Sequence, residues 1–179
     1  MKKTIILTVL MLAAVTGARA QFYGVKVNTL HLATGTLNAA FEMSLGKQWS
    51  LDVPVYWNPI ETGSFSSRLW YVQPGVRYWR YEHFVGPFYG AHLTYGRYDI
   101  GNDRWHYKGW FAGLGVSYGY TWILSTQWNF TLEAGIGLYY MRDRKRKYEY
   151  DDWEPICVTH YKRWVLAPSK LEISFSYLF

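Results

Sequence analysis

Apolar and polar residues alternate along most of the chain, the period-two signature of strands with one apolar face. The clearest run is Trp110, Ala112, Leu114, Val116, Tyr118, Tyr120 and Trp122, set against Phe111, Gly113, Gly115, Ser117, Gly119 and Thr121. This is the sixth of eight such segments. Tyr23 to Leu32 is the first expected strand, and Leu37 to Gly46 the second, with Ala39, Phe41, Met43 and Leu45 on one face. Trp49, Leu51, Val53, Val55 and Trp57 mark the third, and Trp70, Val72, Pro74, Val76 and Tyr78 the fourth. Tyr89, Ala91, Leu93 and Tyr95 mark the fifth, and Trp128, Phe130, Leu132, Ala134, Ile136, Leu138 and Tyr140 the seventh. Leu171, Ile173, Phe175, Tyr177 and Phe179 close the set.

The links between these segments alternate in length. Short ones follow strand two (Lys47, Gln48), strand four (Glu82 to Gly86) and strand six (Ile123 to Gln127). Longer ones follow strand three (Pro59 to Ser67), strand five (Asp99 to Lys108) and strand seven (Arg142 to Tyr161). Only the first link, near Thr34 and Gly35, is short where a long one is allowed. Tight turns at one end and long loops at the other predict an all-β chain folded as an eight-stranded antiparallel up-and-down transmembrane β-barrel. The faces opposite the apolar ones would then line the interior. They carry Lys26, Glu42, Asp52, Arg77, His92, Glu133, Lys170 and Glu172. A barrel of this size holds side chains and little more, so these groups are expected to neutralise one another as a structural plug of ion pairs.

Aromatic residues make up 20% of the chain, with 10 Trp and 17 Tyr. That share is odd for a globular core and expected for two aromatic girdles around a lipid-facing band. Trp49 and Trp57 bracket one outward face, Trp110 and Trp122 another, and Trp128 opens a third. Trp and Tyr favour the headgroup level because each ring is apolar with a polar tip. No later stretch is long enough for a spanning helix, so only a closed barrel could cross a membrane.

The N-terminus reads as a secretory signal: Lys2 and Lys3, an apolar run from Thr4 to Val15, then Ala18-Arg19-Ala20. Residues 1–20 are therefore expected to be removed, leaving 21–179 as the barrel, and no Cys follows that site for lipid attachment. The removed segment holds three of the 19 basic residues and no acid, which leaves 16 basic against 13 acidic residues. So mild an excess does not argue for nucleic acid. The alternating C-terminal segment ends on Phe179 and resembles the signal read by outer-membrane barrel-assembly machinery. Cys157, the only cysteine, cannot form an internal disulfide; it lies in an expected polar loop and reads as an incidental thiol.

Several runs resemble a known family. They are Val25-Lys26-Val27-Asn28, Thr36-Leu37-Asn38 leading to Glu42, Leu45 to Leu51, Gln73 to Trp79, Gly109-Trp110, and Gly113 to Tyr120. Together they resemble the domain of unknown function 3575 family of Gram-negative anaerobes over nearly the whole mature chain. The resemblance implies a secreted barrel of outer-membrane type, loosely associated with fimbrial assembly loci. It implies no activity and no catalytic residues.

Candidate chemistry is sparse. Small outer-membrane barrels can be lipid A-modifying enzymes that use His, Ser and an acid near the outer rim, and His31, His106, His160 and Ser125 are the candidates. His31 has Thr29 nearby and no paired serine, while His106 and His160 fall in expected loops, so no catalytic set, metal site or cofactor is assigned. The densest basic cluster is Arg142, Arg144, Lys145, Arg146 and Lys147, followed by Glu149, Asp151, Asp152 and Glu154. Such a loop is expected to neutralise itself across its two arms, or to grip lipopolysaccharide phosphates through its guanidinium forks. Tyr148, Tyr150 and Trp153 add protein- or glycan-contact candidates. The expectation is a non-enzymatic outer-membrane barrel that anchors, adheres or assists fimbrial assembly, with a small-solute channel and a lipid A-modifying enzyme as alternatives. Its expected partners are outer-membrane lipid and lipopolysaccharide, the assembly machinery and an envelope or fimbrial protein.

Overall fold

The computed structural model describes residues 23–62, 65–102, 105–147 and 157–179. The expected signal segment lies outside them, as do Tyr148, Tyr150, Trp153 and the acids of the last loop. The elements are β1 (Tyr23–Asn28), α1 (Thr29–Ala33), β2 (Leu37–Ser44), β3 (Trp49–Thr62), β4 (Phe65–Val72) and β5 (Gly75–Trp79). β6 (Gly86–Asn102), β7 (Trp105–Ile123), β8 (Trp128–Lys147) and β9 (Cys157–Leu178) follow.

All pairings are antiparallel and the ring closes. β1 pairs with β2 and β9, and β2 pairs with β3; β4 and β5 both sit between β3 and β6, and β6 to β9 follow in order. β4 and β5 are one wall position interrupted at Gln73-Pro74. The ladder crosses that break through Gln73 N–H to the Pro54 carbonyl at 3.0 Å and Leu93 N–H to the Pro74 carbonyl at 2.9 Å. The result is the expected eight-position barrel. Its lower end holds the tight turns at residues 45–48, 80–85 and 124–127, and its upper end holds α1 and three long hairpins.

Three expectations change. The first strand does not reach Leu32: Asn28 ends it and caps α1, its side-chain oxygen accepting from Leu30 N–H at 3.1 Å. Gly35, at φ 74, then turns the chain into β2. An Asn before a stretch without alternation favours a capped turn of helix over extension. Second, the long links are mostly strand. β3 runs to Thr62, β6 to Asn102 and β8 to Lys147, while their partners resume at Phe65, Trp105 and Cys157. His106, Cys157 and His160 therefore lie in strands, held by ladder hydrogen bonds that composition does not reveal. Third, β9 is far longer than its alternating C-terminal part. Gly135 faces Lys170 and Ile136 faces Pro168, so Ser169 is the extra residue of a bulge. The bulge inverts parity: Lys170, Glu172 and Ser174 point inward below it, and Arg163, Val165 and Ala167 line the bore above.

Two glycines show how the wall admits bulk. A Cβ on Gly113 would lie 2.5 Å from the Tyr139 ring, and one on Gly115 would lie 2.5 Å from His92 Nε2. Neither position tolerates a side chain without moving its neighbour.

Candidate functional site

The bore is stacked in layers. At the bottom, Trp79, Phe84, Phe88 and Leu178 pack as a buried apolar cap. Trp79 Nε1–H donates to Ser50 Oγ at 2.9 Å, and Asn129 Nδ2–H donates to the Phe84 carbonyl at 2.9 Å. Phe84 holds a left-handed backbone, φ 66, which folds the turn under the mouth.

Above the cap lies the charge layer, built from inward positions of β1, β2, β3, β5, β8 and β9. Arg77 reaches Glu42 at 2.7 Å, Asp52 at 3.2 Å and Glu172 at 3.4 Å, and also bonds Glu133. Lys26 contacts Asp52 at 2.9 Å and Glu172 at 2.8 Å, and Lys170 contacts Asp52 at 2.8 Å and Glu133 at 3.3 Å. Ser50, Ser117 and Ser174 donate to Glu42, Glu133 and Glu172 at 2.6, 2.5 and 2.7 Å. The Arg77 guanidinium also stacks over Phe88, 4.7 Å from its centroid, which joins this layer to the cap. Three cations thus face four carboxylates, all buried. Oxygens of Asp52, Glu133 and Glu172 converge within 4.8 Å as a divalent cation would need, but Lys26, Arg77 and Lys170 already contact these carboxylates. His92, expected among the ion pairs, stands apart from them. It is buried over Gly115, and neither ring nitrogen has a hydrogen-bond partner among the described residues.

The interior is not filled throughout, contrary to the sequence expectation. The upper half holds an open chamber of about 570 Å³ whose walls include Leu69, Phe111, Tyr139, Met141 and Val165. A smaller one of about 180 Å³, beside His31, Tyr56 and Lys170, meets it at Tyr71, Pro168 and Ser169. Of these lining residues, only His31 and Lys170 were singled out from sequence, and for other roles. Their one signal is bulky Phe111 and Tyr139 among the small residues of otherwise inward-facing runs. His31 is engaged on both sides, with Nδ1 2.7 Å from Asn28 Nδ2 and Nε2 3.0 Å from the Tyr71 hydroxyl. His106 bonds Asp99.

On the outer surface the aromatic residues form two rings. Trp49, Trp122 and Trp128 lie at the lower end with Tyr78 and Tyr177, Trp49 facing Tyr78 and Trp128 facing Tyr177 in register. Trp57 pairs with Trp70 at the upper end, and Trp110 lies opposite Arg97. Beyond the upper ring the surface turns basic. Arg142 stands opposite Lys162 and Arg144 opposite His160, while Lys145 Nζ sits 3.8 Å from the Trp105 ring centroid. Arg146 and Lys147 end β8, opposite Val158 and Cys157. The basic arm pairs with 157–162, and Glu149, Asp151, Asp152 and Glu154, expected to neutralise it, lie outside the described residues.

Asp99 lies above the upper ring. Lys108 and Arg68 each approach it at 3.1 Å. Burial pushes its carboxyl up, but hydrogen bonds from His106 and Lys108 outweigh burial and hold it below the usual range. A depressed carboxylate contributes stability above its unfolded pKa and loses it as pH falls through the folded one. Amide exchange in the β6–β7 hairpin is expected to quicken below about pH 4. Asp99→Asn should remove that pH dependence; an unchanged profile would refute the assignment.

No curated protein and no solved structure matches the chain. One family model does, described as "Protein of unknown function (DUF3575)", and it covers residues 5–179. The chain belongs to the DUF3575 family.

Proposed function

We propose that the chain is a non-enzymatic outer-membrane β-barrel that presents its upper hairpins at the cell surface, in anchoring, adhesion or fimbrial assembly. The observation that carries this reading is the inverted polarity of the wall. Lys26, Asp52, Arg77 and Glu172 are at most 2% exposed, whereas Leu93, Leu114, Val116 and Leu166 are 59–69% exposed. A water-soluble barrel would expose the charges and bury the leucines. Two aromatic rings bounding that apolar surface, with a basic belt beyond one of them, support the same reading. The belt suits anionic lipopolysaccharide, since guanidinium forks grip phosphate bidentately.

A conducting role is disfavoured by the cap and the charge layer, which close the lower bore. The test is heat-modifiable mobility: the full chain, refolded in detergent, should run at different positions before and after boiling. Recovery as a soluble periplasmic protein without that shift would overturn the reading.

A further inference from the structure

Above the charge layer the barrel wall is incomplete. The β1–β9 ladder ends at Asn28 and Ser174, and β2 starts only at Leu37, opposite Trp57. Among the described residues, the β9 edge that faces β1 therefore has no strand partner from Ile173 upward. An open edge within an apolar surface is costly unless its polar groups are otherwise satisfied. Between Ser169 and Ile173 they are met locally. The Asn28 side chain donates to the Leu171 carbonyl at 3.1 Å and accepts from Ile173 N–H at 3.3 Å. Thr29 Oγ1–H donates to the Ile173 carbonyl at 2.8 Å, and Gln73 Nε2–H donates to the Ser169 carbonyl at 2.8 Å. Pro168 brings no N–H at all. The lower part of this lateral gap is thus satisfied without a strand, with α1 against it.

Behind it lies the cavity of about 570 Å³. That volume falls within the roughly 300–1,000 Å³ of small-molecule sites. Apolar walls of this extent are unfavourable against water and fit a hydrocarbon chain. Arg163 lines the cavity at its rim, with Asp143 3.5 Å away, whereas Arg142 and Lys162 take the alternate positions and face the outer surface.

We propose that the upper chamber binds a long-chain fatty acid that enters sideways from the bilayer between β9 and α1. Its tail lies against Leu69, Phe111, Met141 and Val165, and its carboxylate is held at the rim by Arg163. The route of entry rests on the membrane reading above, whereas the chamber itself does not.

The test uses the full chain refolded into phosphatidylcholine vesicles containing a fatty acid with a photoreactive diazirine at the tail end. After irradiation, adducts are mapped by peptide mass spectrometry. Adducts on inward Phe111, Met141 and Val165 are expected, alongside background labelling of outward Leu114, Leu138 and Leu166. Ala167→Trp, which fills the chamber, should abolish the inward adducts and keep the outward ones. Arg163→Gln should lower the inward adducts roughly tenfold, the size of one lost charge-assisted hydrogen bond. The matching long-chain alcohol should compete poorly. Labelling confined to outward residues, or inward labelling unaffected by Ala167→Trp in a protein that still shows heat-modifiable mobility, would overturn the proposal. Equal competition by the alcohol would overturn the role of the rim. Absence of outward labelling would instead sink the membrane reading, so the two failures are distinguishable.

Discussion

Arg77→Met is expected to unfold the barrel more readily than any other single change in the charge layer. The guanidinium contacts all four buried carboxylates, Glu42, Asp52, Glu133 and Glu172. Its removal leaves two lysines against four acids where the native layer has three cations against four. Breaking a buried ion pair from one side costs about 3–5 kcal/mol, because the surviving charges stay desolvated and unpaired. For a chain of this size that corresponds to a fall in the unfolding midpoint on the order of 10 °C. The gel-shift midpoint of the heated, detergent-folded protein reads it directly. Charge counting also predicts a rescue: Arg77→Met with Glu133→Gln returns the layer to a single excess acid and should recover much of the loss. The remaining deficit would reflect Ser117, which donates to Glu133 at 2.5 Å and would face an amide instead. Equal midpoints for the wild type and Arg77→Met would show that the layer fills space without carrying stability.

The inward set that Arg77 anchors was legible in the sequence because a strand's side-chain period is two and an eight-strand bore has a single inside. Once the apolar face of each strand is assigned, Lys26, Glu42, Asp52, Arg77, Glu133, Lys170 and Glu172 have nowhere else to point. His92 shared their parity but not their chemistry: parity gives direction, while height along the bore and the small neighbour Gly115 decide contacts. The upper chamber was illegible for a different reason. Its β9 wall lies beyond the bulge at Ser169, where alternation changes phase, so Arg163, Val165 and Ala167 fell between the expected loop and the alternating C-terminal run. The hairpin ends were missed likewise, since charged residues there alternate with other polar ones and leave no hydrophobic period to detect. α1 was hidden by its brevity, because five residues give no helical periodicity, and only Asn28 and Gly35 marked its ends.

Trp79→Ala is expected to cost about 3–5 kcal/mol, the range for deleting a large buried aromatic side chain. Trp79 is 1% exposed; it packs 4.6 Å from Phe88 and 6.1 Å from Phe84 between ring centroids, and it donates to Ser50 Oγ. The loss therefore combines a cavity with an orphaned partner, since Ser50 must hold Glu42 without its own donor. Detergent melting should show a midpoint lowered by about as much as in Arg77→Met. The two variants part company in planar bilayers. Trp79→Ala opens the cap but leaves the charge layer intact above it, so its conductance should stay at the wild-type baseline. The double variant Trp79→Ala, Arg77→Ala removes both closures at one radial position, because Arg77 stacks on Phe88 beside the same tryptophan. If it folds, as its heat-modifiable mobility would report, it is the variant expected to conduct. Conductance in Trp79→Ala alone would mean that the ion pairs do not seal the bore and that the cap is its only barrier.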